Sequence, residues 1–289
     1  MKLYAISDLH LDHPQNRQAL REVPAYPDDW LILAGDICAT AAQLDETLAL
    51  LEQRFAHIIW VPGNHELWVR PSSELDSSVE KYQQLVDVCR RYNVSNPEDE
   101  FPIFEGEGGP HRIAPLNILY DYSFRPDEVQ EHEAVAWAME SGILCQDEHL
   151  IKPAPFATKS DWCRQRVDFS SARLQHYREL DGDMPTVLVN HFPLRYDLVR
   201  IRRIPRFSIW CGTKHTENWH IEHKAKVVVS GHLHVRATDY KDGVRFEEVS
   251  LGYPRDWSQA KGLHNYFREI LPGPEKTYLN AGPQWRVYD

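Results

Sequence analysis

The sequence lacks the features that mark secreted, membrane-spanning and zinc-ribbon proteins. Its five cysteines are scattered and form no Cys-x-x-Cys pair, so they predict reduced thiols rather than a disulfide framework. No apolar run approaches the ~20 residues that a membrane-spanning helix requires. The first apolar run starts at Leu3, which leaves no room for a signal peptide. We therefore expect a cytoplasmic protein without a membrane partner.

An excess of basic residues is also missing. The 289 residues carry 32 Lys and Arg against 43 Asp and Glu, for a formal net charge of −11. A protein that binds duplex nucleic acid needs a basic face to displace counterions, so the charge argues against that class and against a nuclease. An anionic substrate is not excluded, because the field of a metal site is local. The length fits one large α/β domain, residues 1–289, without repeats or a clean linker.

Five short runs rich in β-branched and aromatic residues each end at polar residues. The runs and the residues that follow them are 3–6 before Asp8 and His10, 30–34 before Asp36, 57–61 before Asn64 and His65, 186–189 before His191, and 226–229 before His232 and His234. Such runs predict buried strands. Open α/β sheets place ligand sites at the carboxyl ends of their strands, so we expect these side chains to meet. The alternation in Asp8-x-His10 and His232-x-His234 predicts extended backbone.

In chain order these blocks form Asp-x-His, Gly-Asp, Gly-Asn-His-Glu, His and Gly-His-x-His. This pattern resembles the calcineurin-like metallophosphoesterases, and its five blocks span residues 8–234, most of the chain. The resemblance implies an α/β fold, a four-layer α/β/β/α sandwich of two mixed β-sheets flanked by helices. It also implies hydrolysis of a phosphate ester at a dinuclear metal centre.

The resemblance further implies the metal ligands. One ion would be bound by Asp8, His10, Asp36 and His234, and the other by Asp36, Asn64, His191 and His232, with Asp36 bridging the two. Carboxylate, amide and imidazole ligands without a thiolate suit manganese, iron, zinc, nickel or cobalt rather than calcium. We therefore expect two divalent transition-metal ions.

Such a site accounts for the expected reaction. Two ions lower the pKa of a bridging water, and the resulting hydroxide attacks phosphorus and expels an alkoxide. His65 is the candidate general acid for that alkoxide and is expected to point away from the metals; the alternative is that it only orients Asn64. Phosphoprotein phosphatases have a second Asp where this chain has Ala39. That weakens a protein-phosphatase assignment and leaves the acidic partner of His65 unidentified.

Three classes of function stay open at this point. The first is a phosphoesterase acting on a small phosphorylated substrate, for which a nucleotide is one candidate. The second is a cyclic-nucleotide phosphodiesterase, because Gly-Asn-His-Glu with Gly-His-x-His also resembles that bacterial branch. The third is a binding scaffold that kept the fold and lost catalysis, which loss of ligands would support; here all seven are present. The oligomeric state is undetermined.

Two segments are candidates for substrate selectivity. Five arginines follow His191, and Arg195 and Arg200 are the predicted phosphate contacts, because a guanidinium suits bidentate binding of phosphate. The alternative is a solvated basic face. Residues 125–158 are predicted as a cap-like insertion over the site, with an ordinary surface excursion as the alternative.

The remaining elements follow from periodicity and capping signals. We predict helices from Thr40 through about residue 55, from a Ser73 cap to about residue 92, over 126–139 and over 160–180; strands over 112–122 and 244–249; a loop over 97–110; and irregular chain over about the last thirty residues.

Overall fold

The computed structural model describes residues 1–71 and 73–286, and within them eleven strands and eight α-helices are found. The strands are β1 (Leu3–Ile6), β2 (Tyr26–Ala34), β3 (Phe55–Val61), β4 (Ile103–Phe104), β5 (His111–Pro115), β6 (Thr186–Val189), β7 (Ala225–Ser230), β8 (Ala237–Lys241), β9 (Val244–Glu248), β10 (Arg268–Leu271) and β11 (Ala281–Trp285). The helices are α1 (Pro14–Arg21), α2 (Ala41–Leu51), α3 (Asn64–Leu67), α4 (Ser78–Arg91), α5 (Ala134–Met139), α6 (Asp147–Leu150), α7 (Lys159–Asp181) and α8 (Trp219–Glu222). Short 3₁₀ turns join several of them, at Glu131–Glu133, Tyr196–Leu198, Pro205–Trp210, Lys214–Thr216, Gln259–Lys261 and Leu263–Tyr266.

The strands form two mixed sheets, as expected. The first sheet has the order β10-β1-β2-β3, in which β1, β2 and β3 run parallel and β10 is antiparallel. The second has the order β11-β8-β9-β7-β6-β5-β4, in which β5, β6, β7 and β9 run parallel, β4 is antiparallel to β5, and β8 is antiparallel to both β9 and β11. Parallel strands have their carboxyl ends at the same edge, which brings the polar blocks of the sequence together.

Alternate residues of each strand pack on opposite faces of its sheet. Ile32 of β2 shares an apolar cluster with Val187 of β6, so the two sheets face each other across that cluster. The neighbouring Leu33 and Leu188 belong instead to the cluster that contains the apolar residues of α2, α4 and α7. The layers are therefore helix, sheet, sheet and helix, which confirms the α/β/β/α sandwich.

Two predicted elements in the first half of the chain have different bounds. Helix α4 begins at Ser78 rather than after Ser73, because the Ser77 hydroxyl caps it by accepting a hydrogen bond from the Glu80 backbone N–H. The strand predicted over 112–122 ends at Pro115. Beyond it, the Asn190 side chain bonds both the N–H and the C=O of Ile118, which replaces the ladder of a strand.

Further predictions were wrong in the insertion and at the carboxyl terminus. The helix expected from residue 126 begins as an α-helix only at Ala134. The last thirty residues contain β10 and β11, and the loop over 97–110 contains β4. Strand β10 pairs Leu271 with Leu3 of β1, a long-range contact that no local pattern indicates. Helix α7 and strand β9 are confirmed, and Thr40 caps α2 as expected, but α2 ends at Leu51 and Phe55, counted in the predicted helix, begins β3.

The 125–158 segment is anchored to the carboxyl-terminal side of β3. The Val69 N–H donates to the Leu150 C=O at 2.7 Å, and the Ser78 N–H donates to the Lys152 C=O at 2.8 Å. Glu148 accepts hydrogen bonds from the Tyr122 hydroxyl and from the indole N–H of Trp210. These contacts fix residues 144–152 beside the polar blocks.

In the described part of the chain, no helix is long and apolar enough to cross a membrane.

Candidate metal centre

Five of the polar residues after the strands adopt the left-handed backbone conformation. They are Asp8 (φ 54°), His10 (42°), Asp36 (53°), His232 (72°) and His234 (53°). The prediction of extended backbone for Asp8-x-His10 and His232-x-His234 was therefore wrong. Each such residue costs about 1–3 kcal/mol and persists only where the surroundings enforce it. A concentration of this strain at one place marks a functional site.

One glycine makes the close approach of these loops feasible. Gly35 has φ +87°, and a Cβ added to it would lie 2.5 Å from the Nδ1 atom of His191. The same His191 Nδ1 lies 3.0 Å from the Ala34 carbonyl oxygen, which directs the other ring nitrogen into the site. A side chain at position 35 would displace that imidazole.

Asp8 lies at the centre of the first group of side chains. It is fully buried, and its Oδ2 accepts hydrogen bonds from the Ser7 hydroxyl at 2.5 Å and the Ser250 hydroxyl at 2.7 Å. Its Oδ1 lies 3.0 Å from His234 Nε2 and 3.9 Å from His10 Nε2. The three potential ligand atoms lie within 4.8 Å of one another, so they could hold one cation.

Asp36 lies between this group and the second. Its Oδ2 is 3.6 Å from His191 Nε2 and 3.7 Å from His65 Nε2, and its Oδ1 accepts a hydrogen bond from the His65 backbone N–H at 2.9 Å. Asp36 also belongs to a potential ligand group with Asp8 and His191. A carboxylate that serves two groups has the position that a bridging ligand requires.

Asn64 and His232 complete the second group. Asn64 Oδ1 lies 3.3 Å from His191 Nε2. The ring of His232 lies 4.7 Å from that of Phe192, and within the described residues no hydrogen-bond partner meets its buried Nε2. An unpaired buried nitrogen costs free energy unless something binds it, and a metal ion would satisfy it. The structure thus brings together all seven of the residues predicted as ligands.

Glu66, the last residue of Gly-Asn-His-Glu, has a role that the sequence did not assign. Its fully buried carboxylate accepts four backbone hydrogen bonds, from Gly63 at 2.9 Å, Asp36 at 2.8 Å, Ile37 at 2.6 Å and Cys38 at 3.1 Å. One side chain thereby joins the two loops that carry Asp36 and Asn64. The sequence signal that could have indicated this role was the position of Glu66 at the end of the Gly-Asn-His-Glu motif.

The electrostatics favour cations. Burial lowers the pKa of His10 to about 3 and that of His232 well below the ordinary value, so both are neutral imidazoles with a free lone pair. Burial and the neighbouring Glu66 and Asp8 raise the pKa of Asp36 well above its usual range. For His234, burial opposes the charge but Asp8 raises the pKa to about 10. Buried carboxylates beside the neutral imidazoles of His10 and His232 fit divalent transition-metal ions, and His234 would bind an ion after releasing the proton that Asp8 stabilises.

His65 borders the ligand group instead of pointing away from it. Its ring is stacked on that of Trp68 at a centroid distance of 3.7 Å and meets the edge of the His10 ring at 4.6 Å. Burial, followed by the neighbouring His10, lowers the pKa of His65 well below its ordinary value. His65 also lines the cavity described next, where a substrate would lie.

A cavity of about 370 Å³ lies over these residues. Five of the predicted ligands form its floor: His10, Asp36, Asn64, His232 and His234. One wall is formed by Leu144, Cys145 and Gln146 of the 125–158 segment, and the other by apolar residues after His191, which are Ile201, Ile204 and Phe207. Tyr253 closes the rim and is stacked on His10 at 4.5 Å. The cavity therefore joins a polar floor to largely apolar walls.

The two predicted phosphate contacts do not reach this cavity. Arg195 pairs with Asp197 at 2.9 Å, and Arg200 pairs with Asp239 at 2.7 Å. Neither arginine belongs to the described lining of the cavity. The arginine-rich run does wall the site, but it does so through the isoleucines between its arginines, because acidic partners elsewhere bind the two guanidinium groups.

Comparisons with known proteins agree with this geometry. The family model for calcineurin-like phosphoesterases matches residues 1–236. The chain is 44% identical over 283 residues to the [acyl-carrier-protein] phosphodiesterase PptH of Mycobacterium tuberculosis, covering 96% of this chain and 86% of that protein. The crystal structure of the phosphopantetheinyl hydrolase PptH from M. tuberculosis matches with a TM-score of 0.88 and 43% identity, over 95% of this chain and 97% of that one. The chain therefore belongs to the calcineurin-like phosphoesterase family and is a metal-dependent hydrolase of phosphoric esters.

Proposed function

We propose that this protein is a phosphodiesterase that removes the phosphopantetheinyl group from an acyl carrier protein. The proposal is supported by the 44% identical relative, which is called both an acyl-carrier-protein phosphodiesterase and a phosphopantetheinyl hydrolase. The similarity covers 96% of this chain, so it includes both segments that wall the cavity.

The observation that carries the proposal is the contrast between the floor and the walls of the cavity. A phosphopantetheinyl group is a diester whose phosphate bears a long, flexible arm of methyl, methylene and amide groups. The phosphate fits the Asp and His floor, and the arm fits walls that combine Ile201, Ile204 and Leu144 with the amide of Gln146. Apolar walls with a few polar groups are typical of sites for such ligands.

The proposed ligand sets are those expected from the sequence. Asp8, His10, Asp36 and His234 would hold one cation, and Asp36, Asn64, His191 and His232 the other. Bound there, divalent cations would polarise the phosphoryl oxygens and lower the pKa of a bound water. The buried carboxylates of Asp8 and Asp36 supply the negative charge that holds such ions, and the Ala34 carbonyl oxygen orients His191.

We assign the proton of the leaving group to His65. Hydrolysis leaves an alkoxide on a carrier-protein serine, which must be protonated. His65 lines the cavity, and the negative charge of a bound diester would favour its protonated form, in opposition to the burial that disfavours it. Trp68 holds the imidazole in place by stacking on it.

The proposal also specifies the substrate class, the role of residues 125–158 and the location of the protein. A nucleotide substrate gains no support from the 44% identical relative, whose name specifies a carrier protein. We propose that residues 125–158 belong to the same domain and act as a fixed wall of the site, because hydrogen bonds anchor them. A cytoplasmic location remains part of the proposal; the five cysteines are buried and unpaired.

The test combines metal analysis with a substrate panel. Protein purified without chelator should contain close to two transition-metal ions per chain. It should hydrolyse phosphopantetheinylated carrier protein with a kcat/KM about 10²-fold above those for cyclic AMP and a simple phosphomonoester. Mass spectrometry should show loss of phosphopantetheine from the carrier. Equal activity on all substrates, or full activity of a metal-free sample, would contradict the proposal.

A further inference from the structure

Asp147 is a buried acidic residue in the wall segment that the reaction proposed above does not use. It is fully buried at the start of α6, and its Oδ1 accepts two hydrogen bonds. The donors are the Asn64 amide at 3.1 Å and the Trp68 indole N–H at 2.6 Å. Both donors lie in α3 or directly after it, in the segment that also carries His65. Asp147 is therefore a contact by which the wall segment holds residues of the site from behind.

The bond to Asn64 determines which end of its amide faces the metal centre. A carboxylate only accepts hydrogen bonds, so the NH₂ group of Asn64 must point to Asp147. The carbonyl oxygen then points to the other side, where it lies 3.3 Å from His191 Nε2. An amide without this partner could turn its NH₂ group, which binds no cation, into the site. Groups that hold metal ligands in this way strongly affect metal affinity.

The bond to Trp68 acts on His65. The indole of Trp68 is stacked on the imidazole of His65 at 3.7 Å. The indole has one hydrogen-bond donor, its N–H, and no acceptor, so the bond of this N–H to Asp147 fixes the rotation of the ring. His65 then lies with its Nε2 3.7 Å from Asp36 Oδ2. Asp147 does not contact His65 directly, but it sets the orientation of the ring against which His65 packs.

We infer that Asp147 is a positioning residue that orients Asn64 toward the metal ions and, through Trp68, holds His65 at the leaving group. The inference rests on the proposed metal ligands and on the proposed role of His65. Ala39 stands in place of the family's second Asp, and Asp147, a carboxylate from a different segment, supports this face of the site through Asn64 and Trp68 rather than by contacting His65.

The neighbouring Glu148 provides a matched control. Its carboxylate also accepts hydrogen bonds from an indole, that of Trp210 at 2.7 Å, and from the Tyr122 hydroxyl at 2.9 Å. It anchors the same segment but contacts neither Asn64 nor Trp68. A loss that reflects only loosening of the segment should therefore appear equally in Glu148→Leu, which removes both of these bonds.

The first experiment measures Mn²⁺ binding by calorimetry to metal-stripped protein. Asp147→Leu, which keeps the branched shape but accepts no hydrogen bond, should bind at least one of two ions about 10–100-fold more weakly than the wild type. Asp147→Asn keeps an acceptor oxygen and should recover most of this affinity. Glu148→Leu, which loosens the same segment without touching Asn64 or Trp68, should stay within about twofold of the wild type. Equal affinities of Asp147→Leu and Glu148→Leu would overturn the inference.

The second experiment separates the effect of the bond from Trp68 to Asp147 from the effect of the bond from Asn64. Asp147→Leu should lower kcat for phosphopantetheinylated carrier protein more than for bis(p-nitrophenyl) phosphate, whose leaving group needs no proton, with KM nearly unchanged. Equal losses on both substrates would contradict the link to His65. Failure of the wild type itself to bind Mn²⁺ or to hydrolyse either diester would contradict the proposed function instead. If Asp147→Leu does not fold, Asp147→Ala carries both measurements with the same criteria.

Discussion

The carboxylate of Glu66 accepts hydrogen bonds from the backbone N–H groups of Asp36 at 2.8 Å and of Gly63 at 2.9 Å with the same oxygen atom. These N–H groups belong to loops that follow two different strands, β2 and β3. The relative position of Asp36 and Asn64, on which any bridged metal centre depends, is therefore fixed by one buried side chain. Its burial raises the pKa of Glu66, and the four N–H groups oppose that rise by stabilising the charge.

Replacement of Glu66 by Gln should destabilise the protein and the site together. An amide has one acceptor oxygen, so two of the four N–H groups would face a donor instead. We expect the free energy of unfolding to fall by about 2–4 kcal/mol, measured by urea denaturation of the metal-free protein. Glu46→Gln, at an exposed position, is the control and should change it by less than about 0.5 kcal/mol. Equal stability of the two variants would show that Glu66 does not hold the loops.

Replacement of Asp36 by Asn should separate stability from activity. In the metal-free protein the Asp36 carboxylate is buried beside Glu66 and Asp8, so a neutral isostere should raise the free energy of unfolding by about 0.5–2 kcal/mol. The same change removes the shared charge from both proposed ion sites, and turnover should fall below detection. Asp28→Asn, at an exposed position, should alter neither property. Retained metal content and turnover in Asp36→Asn would contradict the bridging role.

The role of His65 can be tested through the leaving group. His65→Ala should retain the metals and lower kcat by about 10²–10⁴-fold on the carrier-protein diester if the imidazole is a general acid. With bis(p-nitrophenyl) phosphate the penalty should be much smaller, because p-nitrophenolate leaves without a proton. The same penalty on both diesters, or loss of metal from the variant, would indicate that His65 only orients Asn64.

Selectivity should follow the isoleucines of the run after His191 rather than its arginines. Ile201→Ala removes apolar contact from the cavity wall and should raise KM for phosphopantetheinylated carrier protein by up to about 60-fold, since the three lost carbons contribute about 0.8 kcal/mol each when fully buried by the substrate. Arg200→Ala should leave KM nearly unchanged, because Asp239 already binds that guanidinium. The comparison is made at saturating metal with bis(p-nitrophenyl) phosphate as reference. A larger effect of Arg200→Ala would restore the arginine hypothesis.

His223 should make the protein less stable in acid. The side chain is buried, no hydrogen-bond partner among the described residues meets either ring nitrogen, and burial lowers its pKa to about 4. In the unfolded chain His223 binds a proton near pH 6.5, whereas in the folded protein it does so only near pH 4. Protonation therefore leaves the free energy of unfolding unchanged above about pH 6.5 and lowers it as the pH falls toward about 4. His223→Phe should therefore flatten the dependence of the unfolding free energy on pH in this window. His132→Phe, at an exposed position, should leave that dependence unchanged.

The sequence by itself predicted the strands that precede the site and the side chains that meet there. The runs before Asp8, Asp36 and His191 are short, β-branched and bounded by polar residues, so local composition is sufficient to indicate strands. The order of the five polar blocks then predicted the family and the sandwich. Such patterns predict strands correctly because the alternation of each strand depends only on near neighbours in the chain.

The sequence did not predict the backbone of the site. Asp8 and His234 adopt left-handed conformations that no local preference favours, and hydrogen bonds from residues far along the chain, such as Ser250 to Asp8, enforce them. The same limitation applies to β10, whose pairing with β1 joins residues about 270 positions apart in the chain. Local propensity contains no information about such a partner.

The tertiary structure alone decided which charges face the substrate and which support the site. Arg195 and Arg200 were plausible phosphate contacts until their ion pairs with Asp197 and Asp239 placed them outside the cavity. Asp147, with no motif around it, became the acceptor that reaches Asn64. The sequence determines which donors and acceptors exist. Only the packing of distant segments determines which of them are satisfied within the protein and which remain free to bind an ion or a substrate.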